Sequence, residues 1–131
     1  MEKIFEMTKT DYPKPQADIS LATDYDQRYL GIINKIFEKN IEEWDERNTD
    51  RLNAHLEQGG QIAMYWHKGR IVGTVLWILD GDAWRITQMG FKRRHQGRGF
   101  GEELLDYMFW KIHSTPDAPK KIVADTTAFK I

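Results

Sequence analysis

The sequence contains no cysteine. That absence excludes a disulfide scaffold, a thiolate nucleophile, an iron–sulfur cluster and a cysteine-type zinc site, and it fits a reducing cytoplasm. Long hydrophobic runs are also missing. The longest apolar stretch, residues 71–79, is interrupted by Gly73 and Thr74 and is far too short to cross a bilayer. The N-terminal residues are charged throughout and lack the apolar centre of a signal peptide. Neither sign of charge dominates: 19 basic residues against 20 acidic ones leave a formal net charge of −1, which argues against a protein that coats DNA. Any electrostatic function must therefore come from local clusters. No internal repeat and no low-complexity segment is present.

What remains is a chain of 131 residues, 40% hydrophobic, with 5 Trp, 5 Tyr and 6 Phe, enough to bury the core of one domain. Residues 1–18 read as an N-terminal extension, with a strand-like piece from Ile4 to Met7 and then Tyr12-Pro13-Lys14-Pro15, which its prolines keep extended. Residues 19–131 read as a single domain. Ile19 to Thr23 predicts a strand. Thr23 or Asp24 can cap a helix over 24–39, with Tyr25, Tyr29, Ile32, Ile33, Ile36 and Phe37 at helical spacing. A second helix is expected from Thr49, its cap, to Gln58, before Gly59-Gly60 ends it.

The period then changes. Residues 61–67, 71–79 and 84–91 read as a three-stranded meander, turned at His67-Lys68-Gly69-Arg70 and at Asp80-Gly81-Asp82. A helix over 100–112 presents Leu104, Leu105, Met108, Phe109 and Ile112, and a last strand spans 121–125. The order β-α-α-β-β-β-α-β is that of an α+β (mixed α/β) domain rather than an alternating dinucleotide-binding one.

The segment that carries chemistry lies between the third meander strand and the last helix. Gly97, Gly99 and Gly101 alternate immediately before that helix. Glycine lets a ligand approach the backbone, and the first amides of a helix have no intrahelical partners. The result is an anion site favoured by the positive end of the helix dipole. Lys92, Arg93, Arg94 and Arg98 surround it with no acidic residue among them, which points to a ligand with several phosphates. A P-loop is disfavoured because no Lys-Ser or Lys-Thr follows the glycines, and a dinucleotide fingerprint because position 102 is Glu102. A solvated basic turn with no ligand is the competing reading.

Gln96-Gly97-Arg98-Gly99-Phe100-Gly101 resembles the [Q/R]-x-x-G-x-[G/A] signature of the GNAT superfamily of acyl-CoA N-acyltransferases. The strand before it, the helix after it, and the two helices and hairpin upstream resemble that family too, over roughly residues 19–125. The resemblance implies a central, mostly antiparallel sheet flanked by helices, here without the usual last helix and two strands. It implies acetyl-CoA as co-substrate and no metal. The amides of Gln96 through Gly101 would hold its pyrophosphate. The backbone of Met89, Gly90 and Phe91 would pair with its pantetheine arm where this strand splays from the next. Arg93, Arg94 and Arg98, with Lys92, would meet the outer phosphates. The implied reaction is acetyl transfer to a primary amine of a small molecule or peptide. The alternative is a catalytically inactive CoA-binding regulatory module acting through a protein partner.

Catalytic groups are less legible. Phe91 or its neighbour is expected to offer a backbone N–H to the thioester carbonyl. Where some members of the family carry a glutamate base this chain has Arg85, which cannot act as one. Asp125, at the end of the last strand, and Tyr65 are the remaining candidates, against bland readings as a strand-end carboxylate and a strand aromatic. His67 reads as a surface residue beside a hairpin, and His95 as an aid to ligand binding. Asp80 and Asp82 suit their turn without any function. The acidic stretch from Glu38 to Asp50, including Glu42 and Glu43, reads either as a solvated helix end or as a wall that attracts a cationic amine. The missing last strands leave an apolar sheet edge, to be closed either by the N-terminal strand or by a homodimer.

Overall fold

The computed structural model describes residues 2–7, 11–22, 27–40, 48–125 and 129–130. Among them three helices and seven strands form a mixed α+β fold built on one mostly antiparallel sheet. Its centre is the expected meander, β3 (Gln61–His67), β4 (Arg70–Asp80) and β5 (Ala83–Phe91). Lys68 and Gly69 take φ of 51° and 76°, the pair of positive values that a two-residue turn needs to match the twist of its strands.

β2 (Ile19–Leu21) adds antiparallel to β3, and β6 (Lys121–Asp125) adds parallel to β5 after the crossover through α3 (Phe100–His113). β1 (Glu2–Glu6) pairs antiparallel with β6, from Glu2 opposite Asp125 to Glu6 opposite Lys121. Of the two ways to close the edge of β6, the structure shows the N-terminal strand. A seventh strand, β7 (Phe129–Lys130), which the sequence reading lacks, runs parallel to β5 at Met89 and Gly90.

Two cores follow from the strand alternation. α1 (Gln27–Asn40) and α2 (Asn48–Glu57) cover one face, where Leu30, Ile33, Ile36 and Leu52 pack on Ile62, Met64 and Leu76. α3 covers the other, where Leu104, Met108 and Ile112 pack on Trp77, Ile86, Met89 and Phe91. Ile86 and Met89 share a face despite an odd separation because Thr87 is an extra residue: Leu76 pairs with Gln88 but Trp77 with Ile86. This bulge lies where β6 stops pairing, since the β5–β6 register ends at Ile86 opposite Ala124.

Three local expectations change. α2 begins at Asn48, so Thr49 sits inside its first turn rather than capping it. Ile32 is 37% exposed, because the buried stripe of α1 runs through Leu30, Ile33 and Ile36, one helical step away. Tyr107 joins the buried face of α3, while Leu105 and Phe109 lie at its margin. The proposed caps Thr23 and Asp24 lie outside the described residues. Among the described residues no helix is long and apolar enough to cross a membrane.

Candidate active site

The glycine loop takes its shape from hydrogen bonds at both ends. At the end of β5 the Lys92 N–H donates to Val72 O of β4 at 2.8 Å. A 3-10 turn over Arg93–His95 follows, and the Gln96 side-chain amide reaches back to Phe91 O at 2.9 Å. Gly97 and Gly99 then adopt φ of 71° and 82°, and Gly99 is the N-cap of α3. Both need glycine for that left-handed backbone, and a Cβ on either would meet no protein atom within 4 Å. Open space therefore faces the loop. Among the described residues, no backbone carbonyl outside the helix meets the amides of residues 97–102; the first amide with a carbonyl partner is Glu103, to Gly99 O at 3.3 Å. Arg93, Arg94 and Arg98 are exposed around this cradle. The exposed arginines thus stand beside the amides of Gly97 through Gly101, whereas the Gln96 N–H, expected in the same cradle, is taken by Arg93 O at 3.2 Å. A polyphosphate suits it: unpaired amides, a helix N-terminus, and no Cβ in the way.

An aromatic clamp anchors the loop. The Phe100 ring, first in α3, stacks on Tyr65 with centroids 4.8 Å apart, and Tyr65 meets Phe91 edge-on at 5.4 Å. The row Tyr65–Gly73–Phe91 crosses three paired strands. Gly73 has no side chain because the Phe91 ring lies where its Cβ would be. The Tyr65 hydroxyl donates to Glu103 Oε1 at 3.0 Å. Burial, then that hydrogen bond and the Glu103 charge, push the phenol up to about 12, so it stays protonated at neutral pH. Tyr65 thus ties β3 to the first turn of α3.

Arg98 lies over the other part of this cluster, 4.9 Å from the Phe100 ring centre, and donates to His95 Nδ1 at 3.2 Å. His95 is held below the ordinary imidazole range by partial burial, then by Arg94, Arg98, His67 and Lys92. His67 was read as a surface residue. The end of β3 instead brings its ring within 5.5 Å of His95 and 5.2 Å of Phe100.

The outer edge of β5 is the second part of the site. Because the Lys92 N–H points to β4, alternation turns the N–H groups of Phe91 and Met89 to the opposite edge. The resemblance places a pantetheine arm at that edge. In the structure β6 has left it, and β7 pairs there with Met89 and Gly90. Arg85 is bound to Asp80, Nε to Oδ2 at 2.9 Å, on the exposed hairpin end. Asp125 ends β6 opposite Glu2; its side chain, like those of Glu42 and Glu43, lies outside the described residues. Among the described residues no three His, Asp or Glu side chains gather as metal ligands do.

A family model for the acetyltransferase (GNAT) family matches residues 2–128. The chain belongs to the GNAT acetyltransferase family. No curated protein matches its sequence. Solved GNAT structures share its fold at low identity. An aminoglycoside 6'-N-acetyltransferase complexed with coenzyme A superposes with TM-score 0.64 at 12% identity, over 72% of this chain and 54% of that one. The ribosomal-protein-S18-alanine N-acetyltransferase of Escherichia coli gives 0.60 at 10%, over 72% and 59%. A GCN5-related N-acetyltransferase from Kribbella flavida gives 0.64 at 14%, over 97% and 48%. The chain thus spans roughly half the length of these GNAT relatives.

The sequence reading missed two features of the site. Gly73, the seat of Phe91, was visible only as a glycine inside a strand pattern. The other is a cavity on the α2 side of the sheet, bordered by residues of α2, β4 and β5 that lie far apart in the chain.

Proposed function

We propose that the protein is an N-acetyltransferase that moves an acetyl group from acetyl-CoA to a primary amine of a small molecule or peptide. The observation that carries this reading is the bare-amide cradle of Gly97, Gly99 and Gly101 at the head of α3, in a GNAT chain. Bound acetyl-CoA would supply the activated acyl group as a thioester. The protein's part is to bind and orient it. The amides from Gly97 to Gly101 hold the pyrophosphate, and Arg93, Arg94 and Arg98 meet the remaining phosphates. Tyr65 and Phe91 hold Phe100, and with it the start of α3, in place. The outward N–H of Met89 or Phe91 donates to the thioester carbonyl and stabilises negative charge as it develops there.

The acceptors named for the neighbours, an aminoglycoside and a ribosomal-protein alanine, are amines, which supports an amine acceptor here. A cytoplasmic location is in keeping with the cysteine-free sequence. The reading as an inactive regulatory module finds no support in the comparisons.

The reading has a consequence for β7. A pantetheine arm pairing with Met89 and Gly90 takes the place of Phe129 and Lys130. Each backbone hydrogen bond is worth about 1 kcal/mol net, so releasing one or two should tighten acetyl-CoA binding about five- to thirtyfold. The double variant Phe129→Pro with Lys130→Pro, which cannot donate from either residue, should show that change by calorimetry. An unchanged Kd would mean that the arm does not use this edge.

The experiment that tests the function is thiol release from acetyl-CoA across a panel of primary amines. Release that depends on an amine supports acyl transfer. Tight binding of acetyl-CoA with no release under any condition would remove the catalytic reading.

A further inference from the structure

α2 and the sheet border an open cavity of about 310 Å³ on the face opposite α3. Leu52 and His55 of α2, Leu76 and Ile78 of β4, and Thr87 and Gln88 of β5 are among its walls. Its floor is the β5 bulge, one residue before Met89. It has room for a small amine or one peptide residue. Its described walls carry no formal charge other than any borne by His55.

His55 is the only described titratable group in these walls, and it is held in one orientation. Its Nε2 is 2.9 Å from Gln61 O, and its ring lies where a Cβ on Gly60 would be. A carbonyl can only accept, so Nε2 carries the proton and the basic lone pair is on Nδ1. Among the described residues, the charged side chains of the neighbouring elements do not line the cavity. Glu57 of α2 and Lys35 of α1 are exposed, and Arg85 of β5 is bound to Asp80.

Resting on the acetyltransferase reading above, we propose that this cavity receives the acceptor amine, on an uncharged and partly apolar carrier, and that His55 Nδ1 accepts its proton. The amine lone pair forms the C–N bond to the acyl carbon while the C–S bond breaks and its electron pair leaves on sulfur. One amine proton passes to Nδ1, and the imidazolium then returns it, through solvent, to the thiolate. Burial holds the His55 imidazole below its ordinary range, with the Gln61 hydrogen bond opposing, so it is the neutral, proton-accepting form at pH 7.

The test is His55→Gln, whose side-chain amide can still donate to Gln61 O but cannot take a proton. In the wild type, imidazole NMR should show His55 as the Nε2–H tautomer with a midpoint below pH 6.5. Because the folded midpoint lies below the unfolded one, its neutral form adds stability that is present above pH 6.5 and lost as pH falls through the folded midpoint. That loss should be absent in the variant. With leucinamide as the probe amine, log(kcat/KM) should fall with slope two below the midpoint, since both the amine and His55 protonate. The variant should show slope one, a rate lower by about 10²-fold or more, and an acetyl-CoA Kd unchanged within about twofold.

Three results overturn the proposal: a variant with the wild-type rate and slope, a His55 midpoint above 6.5, or wild-type protein that binds acetyl-CoA yet releases no thiol with leucinamide, benzylamine or water. The third of these, like an absence of acetyl-CoA binding, removes the acetyltransferase reading itself, whereas the first two leave it standing.

Discussion

Gly99→Glu should raise the Kd for acetyl-CoA by at least about 100-fold while leaving the protein folded. Position 99 combines φ of 82° with open space in front of it, at the N-cap of α3. A carboxylate there projects into the region assigned to the pyrophosphate. Two unit charges 4 Å apart near a protein surface repel by about 4 kcal/mol, a factor of nearly a thousand, which solvent screening at an exposed loop reduces to about a hundred. The left-handed backbone adds roughly 1–2 kcal/mol of strain to the folded state. Two controls separate charge from strain. Gly99→Asn keeps a residue that tolerates this backbone and adds no charge, so it should weaken binding far less. Gly81→Glu sits at a hairpin with φ of 64° and equally open space, far along the sheet from the loop, and should leave the Kd unchanged. Calorimetry reads all three. An unaltered Kd in Gly99→Glu would show that the loop does not hold the phosphates.

Gly73→Val is the second large effect, and it acts through packing. The Phe91 ring occupies the place of the missing side chain, and Phe91 and Trp77 are both fully buried. Nothing flexible lies behind the ring: Tyr65 meets it edge-on and Phe100 stacks on Tyr65. Overpacking such a site costs about 3 kcal/mol. In a domain of this size each kcal/mol moves Tm by roughly 3–5 °C, so a fall of about 10 °C is expected. The displaced ring also removes support from Phe100, so acetyl-CoA binding should weaken at temperatures where the variant is still folded. Gly73→Ala should shift both quantities in the same direction by less. A large fall in Tm with an unchanged Kd would show that the aromatic clamp stabilises the fold without shaping the loop.

The parts legible in the sequence were those fixed by local chemistry. The turns at Lys68-Gly69 and at Gly81 are set by positive φ, and so is the loop, through Gly97 and Gly99. The helical stripes of α1 and α3 were readable from spacing, although Ile32 was assigned to the wrong side. The bulge at Thr87 was not readable, since an alternating pattern carries no mark of an extra residue until the partner strand is known. Pairing at the sheet edges was legible in part: β1 could be expected on β6, but β7 on β5 could not. The His67 and His55 environments depend on elements distant in the chain, β3 against the glycine loop, and the residues of α2, β4 and β5 that border one cavity. No local pattern distinguishes either histidine from a surface one.

Thermal denaturation of the full chain with acetyl-CoA, free coenzyme A and ATP in parallel tests the acetyl-CoA assignment most directly. A ligand that binds only the native state stabilises it by RT ln(1 + [L]/Kd), about 2.7 kcal/mol at a hundred times Kd. Saturating rises in Tm with both CoA species, well above that with ATP and lost in Gly99→Glu, are the expected result. A folded protein whose Tm moves with neither CoA species would contradict it.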